Sequence, residues 1–141
     1  MNNEVARHLT EFVIYPEHTK REESEEFKKN KERLKEDGHY KCWICGSTEN
    51  LQVHHFGCEW ALAKDCDFEK LKEFCEEFDP YGYGRLLKNK PITSVDDIRN
   101  LLVLCEKHHI EKLYGIHEIT FPIWIIQKLA KKGIEPIPEN K

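Results

Sequence analysis

The chain has 141 residues, 39% of them hydrophobic and 34% charged, and a formal net charge of −4. That length gives one domain with room for an appended element, and its thin apolar fraction makes a metal staple useful. The acidic balance counts against a strongly nucleic-acid-binding protein. No apolar run reaches membrane-spanning length and the first four residues lack a signal pattern, so a cytoplasmic location is expected.

In chain order, Val5, Leu9, Phe12 and Val13 fall at helical spacing, which predicts a short helix ending before Pro16. Residues 19–37 read as a second helix capped by Gly38, with seven basic and seven acidic side chains between Lys20 and Asp37. Its large apolar residues are Phe27 and Leu34 alone, the pattern of a solvated arm with one thin seam. Residues 39–45 suggest a strand that pairs with a second strand from Leu51 to His54 as a hairpin.

Residues 57–94 form an insertion. Trp60, Leu62 and Ala63 read as buried, and residues 67–78 set Phe68, Leu71, Phe74 or Cys75, and Phe78 on one helical face. Between Lys64 and Asp79 there are seven acidic residues and three basic ones, an excess that equals the formal charge of the whole chain. Residues 79–85 read as a flexible, aromatic-bearing surface loop. Ser94 to Asp97 resembles a capping box, Leu101 to Leu104 a buried strand, and Glu106 to Tyr114 a helix that Gly115 stops. A last helix opens at Thr120-Phe121-Pro122, with Ile123, Ile126, Leu129 and Ala130 as its core stripe, before an extended tail from Ile134 to Pro138. The organisation expected is an α+β fold: a helical arm over 1–38, a central unit over 39–115, and a closing helix with tail over 116–141.

Six cysteines in a reducing compartment argue for metal ligation rather than disulfides. Cys42-x2-Cys45 and Cys105-x2-His108 are two pairs, each able to reach one ion from a tight turn, and together they close a tetrahedral zinc site. Cys58, Cys66 and Cys75 lack ligand-like contexts and read as small hydrophobes. His54, His55, Asn100 and His109 remain over around the same knuckle, and a structural zinc site does not need them. Hydrolysis of a phosphodiester does: it requires an activated water and stabilisation of the leaving oxygen. His55 can serve as the base, with His54 and His109 as ligands of a second ion. Asn100 either joins the metal shell or holds the His55 loop through backbone groups.

Cys42-x2-Cys45, His54-His55 and Asn100-Leu-x-x-Leu-Cys105-x2-His108-His109 resemble the HNH endonuclease family, whose fold is a ββα-metal finger. Its zinc-bearing branch closes on Asn-Leu-x-x-Leu-Cys-x-x-Cys-His, and residues 100–109 follow that string with His108 in place of the fourth cysteine. The resemblance covers residues 42–113. It implies His55 as general base, His54 as the neighbouring metal ligand (often aspartate in relatives), Asn100 as the central asparagine and His109 as the final metal-binding histidine. His117 has no firm counterpart: some relatives carry an additional histidine on the closing helix, which makes it a further candidate ligand of the second ion, but Gly115 is expected to interrupt the helix before it. Residues 115–124 also resemble small phage and prophage proteins of this family, which would place the protein in a host cytoplasm.

The implied activity is cleavage of DNA with structural Zn²⁺ and a second divalent ion, Mg²⁺, Mn²⁺ or Ni²⁺. Arg99, Lys107 and Lys112 flank the site as phosphate contacts, and Lys88, Lys90, Lys128, Lys131 and Lys132 offer more. His8, His18 and His39 read as surface residues. The rival reading is a catalytically inactive module of the same type that binds DNA, or a protein partner through the acidic insertion. A disulfide oxidoreductase built on Cys42-Trp43-Ile44-Cys45 is weakened by the absence of a surrounding βαβ pattern.

Overall fold

The computed structural model describes residues 3–138, so Met1, Asn2 and the last three residues of the expected tail lie outside it. Its centre is an antiparallel pair of strands, β1 (Leu51–His55) and β2 (Leu101–Cys105), registered from Leu51 opposite Cys105 to His55 opposite Leu101. Every residue of β2 is buried, which accounts for its unbroken apolar run.

Alternation sends successive side chains to opposite faces of this ribbon, and each face carries its own core. On one, Val53, Leu101 and Val103 pack with Phe27, Leu34, Tyr83 and Ile98. On the other, Leu102 and Leu104 pack with Cys42, Ile44 and Trp124. A third cluster, Leu71, Cys75 and Ile92, lies within the insertion, with Cys58 and Cys66 half-buried against it. Among the described residues no helix is long and apolar enough to cross a membrane.

Helix α1 spans Glu25–Glu36, shorter than the expected 19–37, because the Ser24 hydroxyl accepts the Phe27 N–H and fixes the start there. Phe27 and Leu34 join the first core, so these residues are a packed wall of the domain rather than a solvated arm. Among the described residues no helix forms before α1. Val5, Leu9, Phe12 and Ile14 are exposed, and without a surface to pack against a segment that short does not hold a helix.

Residues 39–45 are a turn and not a strand, with a single ladder-like bond from Trp43 N–H to Val103 O (2.9 Å). The partner of β1 is therefore β2, some fifty positions on. In the insertion, Trp60–Asp65 is a 3₁₀ turn whose Trp60, Leu62 and Ala63 are half-buried, followed by α2 (Phe68–Glu77), which buries Leu71 and Cys75 and leaves Phe78 exposed. The aromatic loop is structured: Asp79 accepts the Gly84 and Arg85 N–H groups and starts α3 (Tyr83–Leu86). The Tyr83 hydroxyl donates to Asp37 (2.6 Å), and the Tyr81 hydroxyl accepts the Val103 N–H (3.0 Å).

Helix α4 (Glu106–Ile110) follows β2 without a loop and ends four residues earlier than expected. Helix α5 (Phe121–Leu129) opens where Thr120-Phe121-Pro122 suggested, but its buried anchor is Trp124. Ile126 and Leu129, expected in the core, are exposed, because the helix meets the knuckle through one large ring.

Candidate functional site

Cys42, Cys45, Cys105 and His108 form a Cys3His group whose ligand atoms all lie within 4.8 Å of one another, compatible with a metal ion such as zinc. The first pair sits in the turn closed by Gly46 N–H to Cys42 O (2.8 Å), and the second joins the end of β2 to the first turn of α4. Cys45 Sγ is 3.8 Å from Cys105 Sγ, and His108 Nδ1 is 3.3 Å from Cys105 Sγ and 3.9 Å from Cys42 Sγ. A tetrahedron with Zn–S bonds near 2.3 Å has S···S edges of roughly 3.8 Å, so the donors are spaced for that ion. Burial opposes ionisation of Cys42, but bonds from His108 and from the backbone at Cys105, Cys45 and Ile44 bring it down to about 6. Burial pushes the neighbouring Cys105 up to about 12, so a cation is needed to hold both as thiolates. Trp124 Nε1–H donates to the His108 carbonyl (2.8 Å) and its ring stacks on Trp43, clamping both halves of the knuckle.

A second group lies beside the first. His54, His109 and His117 also bring their ligand nitrogens within 4.8 Å of one another, a set that could hold a metal ion. His54 comes from β1, His109 from α4, and His117 from the segment after α4. Gly115 makes the last of these possible. A Cβ there would lie 2.7 Å from the His109 carbonyl oxygen, so only glycine lets the chain fold back on α4. The bonds Ile116 N–H to His108 O (3.0 Å) and His117 N–H to His109 O (3.3 Å) then set His117 Nε2 3.0 Å from His109 Nε2. The glycine that was expected to cut His117 off from the helix brings it in. Gln52 Oε1 takes the Nδ1 side of His109, which leaves Nε2 facing the cluster. Burial, then the charges of His117 and His109, hold His54 at about 2, and burial, then His117, holds His109 at about 4. Both are therefore neutral near neutral pH, the form in which an imidazole can bind a metal.

His55 points to the opposite face of the ribbon. It is 5% exposed, its ring lies 6.0 Å from that of Phe27, and its Nε2 is 2.7 Å from Asp96 Oδ1. Burial lowers its affinity for a proton and the Asp96 bond works against that. Asn100 is fully buried with every polar valence used: Oδ1 accepts the Gly57 and Cys58 N–H groups (2.7 and 3.1 Å), and Nδ2 donates to the Cys58 and Val95 carbonyls (2.9 and 2.8 Å). Of its two candidate roles it therefore takes the second, fastening the loop after His55, and has nothing left for a metal.

Comparison with known proteins found no matching family model, no matching curated protein and no matching solved structure. The residues themselves carry what can be said of function.

Arg99 is a correction. It is 4% exposed, paired with Asp97 through Nε and Nη2 (2.8 Å each), and its remaining donors reach the carbonyls of Leu87, Lys90 and Pro91. It ties the insertion to β2 and cannot reach a phosphate. Lys107 and Lys112 are exposed, the former over the Tyr114 ring, whereas Lys128 donates to the Trp43 carbonyl. Lys88, Lys90, Lys131 and Lys132 are exposed. Burial raises the Cys58 and Cys75 thiols to about 12, in keeping with packing roles. Sequence reasoning missed Gln52, Asp96 and Arg21. The Arg21 guanidinium sits 5.2 Å from the centre of the Phe27 ring, and its charge is felt by His54, His55 and His109. The alternation of β1 could have flagged Gln52, whose side chain shares a face with His54; nothing local marks the other two.

Proposed function

We propose that the chain is a metal-dependent endonuclease of the HNH type, a ββα-metal fold that hydrolyses DNA phosphodiester bonds and carries a structural zinc group. One observation carries this reading. Three histidines from separate segments converge next to a complete Cys3His group, and a zinc knuckle that only stabilises the fold has no use for them. The succession of β1, β2 and α4, with ligands on all three, supports the ββα arrangement.

The donor set fits a second cation. With metal–nitrogen bonds of about 2.1 Å, two cis imidazoles sit roughly 3.0 Å apart, close to the spacing of His109 and His117. Three imidazoles favour Ni²⁺, and less strongly Mn²⁺, over Mg²⁺, which prefers oxygen ligands. When bound, such an ion would neutralise charge on the phosphate and on the departing oxygen. His54, His109 and His117 would hold it, with Gln52 orienting His109. His55 would take the proton of the attacking water, and Asn100 would keep the loop after His55 in place. Arg21, Lys107 and Lys112 would meet neighbouring phosphates, and the acidic insertion would face away from the duplex.

The second reading is a catalytically inactive module of the same type, binding DNA or a protein. It is favoured by the burial of His55 and its position across the ribbon from the histidine cluster. Supercoiled plasmid incubated with Mn²⁺, Ni²⁺ or Mg²⁺ separates the two. Nicking by the wild type, reduced at least about 100-fold in a folded, zinc-loaded His55→Ala variant, is the expected result. Intact plasmid in every lane would sink the nuclease reading.

A further inference from the structure

Asp96 falls outside the metal groups, and the sequence reads it only as part of a capping pattern. In the fold both its carboxylate and its backbone are held in place beside His55. Its Oδ1 lies 2.7 Å from His55 Nε2, and its Oδ2 accepts the Ser24 hydroxyl at 2.7 Å. Its carbonyl accepts Asn30 Nδ2–H at 2.8 Å, and its N–H donates to Ser94 Oγ at 3.0 Å, which in turn donates to Glu26. Three of these partners, Ser24, Glu26 and Asn30, are on or cap α1. The start of that helix thus holds Asp96 directly through Ser24 and Asn30 and indirectly through Glu26 and Ser94.

We propose that Asp96 is a positioning residue for His55, fixing its ring and its Nε2–H tautomer so that Nδ1 is the bare nitrogen, and that α1 sets Asp96. A carboxylate oxygen accepts and does not donate, so the hydrogen in the short Asp96–His55 contact belongs to the imidazole. An imidazole whose Nε2–H is engaged cannot rotate freely, and its one lone pair is presented in a single direction. The catalytic meaning of this arrangement rests on the nuclease reading; the tautomer does not.

The test combines nicking kinetics in Mn²⁺ with long-range ¹H–¹⁵N spectra of the histidine rings, on the full zinc-loaded chain. Asp96→Ala should lower kcat by about 100-fold while KM stays within about twofold, the pattern of a lost general-base contribution. Its His55 nitrogens should shift from a pure Nε2–H signature toward mixed tautomers. Asp96→Asn, whose amide oxygen can still accept from Nε2–H, should recover kcat to within about tenfold of wild type. If Asp96→Ala does not fold, the Asn variant and the wild-type spectrum decide alone. An Nδ1–H tautomer in the wild type would overturn the assignment, as would wild-type kcat in Asp96→Ala. So would an Asn variant no better than Ala, or parallel losses of kcat, KM and melting temperature. A wild type that cleaves nothing, yet shows an Nε2–H signature that Asp96→Ala abolishes, would remove the nuclease reading and leave Asp96 as the residue that sets His55.

Discussion

Two residues show how far a side chain's type is from its role. Arg99 stands beside Asn100 and looks like a phosphate contact, yet its acceptors are supplied by Asp97 and by carbonyls at positions 87, 90 and 91. No local pattern announces a guanidinium that is satisfied from a distant turn. Removing it strands a buried Asp97, so Arg99→Ala should destabilise the fold by about 3–5 kcal/mol. Thermal unfolding checks this: a melting temperature equal to wild type, with DNA affinity alone reduced, would return Arg99 to the surface. Gln52 is the reverse case, an exposed and unremarked residue whose amide oxygen holds the Nδ1 side of His109. Partners that orient a ligating imidazole are worth about 10–100-fold in metal affinity, and Gln52→Ala should weaken Mn²⁺ or Ni²⁺ binding by that factor. Calorimetric titration of zinc-loaded protein is the measurement, and an unchanged Kd would mean His109 is oriented by other means.

At the scale of elements, legibility followed the range of the interactions. Both strands, the two ligand pairs and the start of α5 were readable because each is a short local pattern: alternation, C-x2-C spacing, Pro in the first turn. The strand pairing was not, since β1 and β2 are separated by the whole insertion and a nearer apolar stretch competed for the pairing. The helix expected near the N-terminus has spacing but no wall to pack on, while the polar α1 has almost no spacing and two residues that find one. His117 was left in doubt for the same reason. Its approach to His109 depends on Gly115 lying against the α4 backbone, a contact that a glycine read as a helix stop does not predict. Gly115→Ala puts a methyl group 2.7 Å from the His109 carbonyl oxygen, which the backbone must yield to accommodate. Overpacking of that kind costs about 1–3 kcal/mol, and the displacement should also pull His117 away from the cluster. The variant should therefore keep its zinc, melt lower and bind Mn²⁺ more weakly. If it binds Mn²⁺ like the wild type, the histidine cluster does not depend on this fold-back.

The described residues form one small core on each face of a two-stranded ribbon and a third within the insertion, with two candidate metal-binding groups that meet at α4. Such a body has little apolar area to spare, so how the histidines are buried bears on its stability as well as its chemistry. His54 and His109 are held neutral at about 2 and about 4, and His55 is shifted in the same direction, in each case by burial first. An unfolded histidine takes up a proton near pH 6.5. Below that pH the unfolded chain binds protons that the folded chain refuses, and linkage then requires stability to fall as pH falls. Above it both states are neutral and the term is flat. Without a second ion, the urea midpoint of zinc-loaded protein should hold steady from pH 8 to 7 and decline steadily from pH 6.5 toward 4.5. Zinc retention, followed in the same samples, separates this decline from protonation of the thiolates, which would release the metal outright. His109→Gln, which removes one of the refusing groups, should flatten the slope. Adding Mn²⁺ should raise the midpoint at pH 7 and at pH 5 alike, because folded His54 and His109 stay neutral across that range. A midpoint that rises on acidification would mean that the histidines gain partners on folding instead of losing water, and the ligand cluster would have to be abandoned with them.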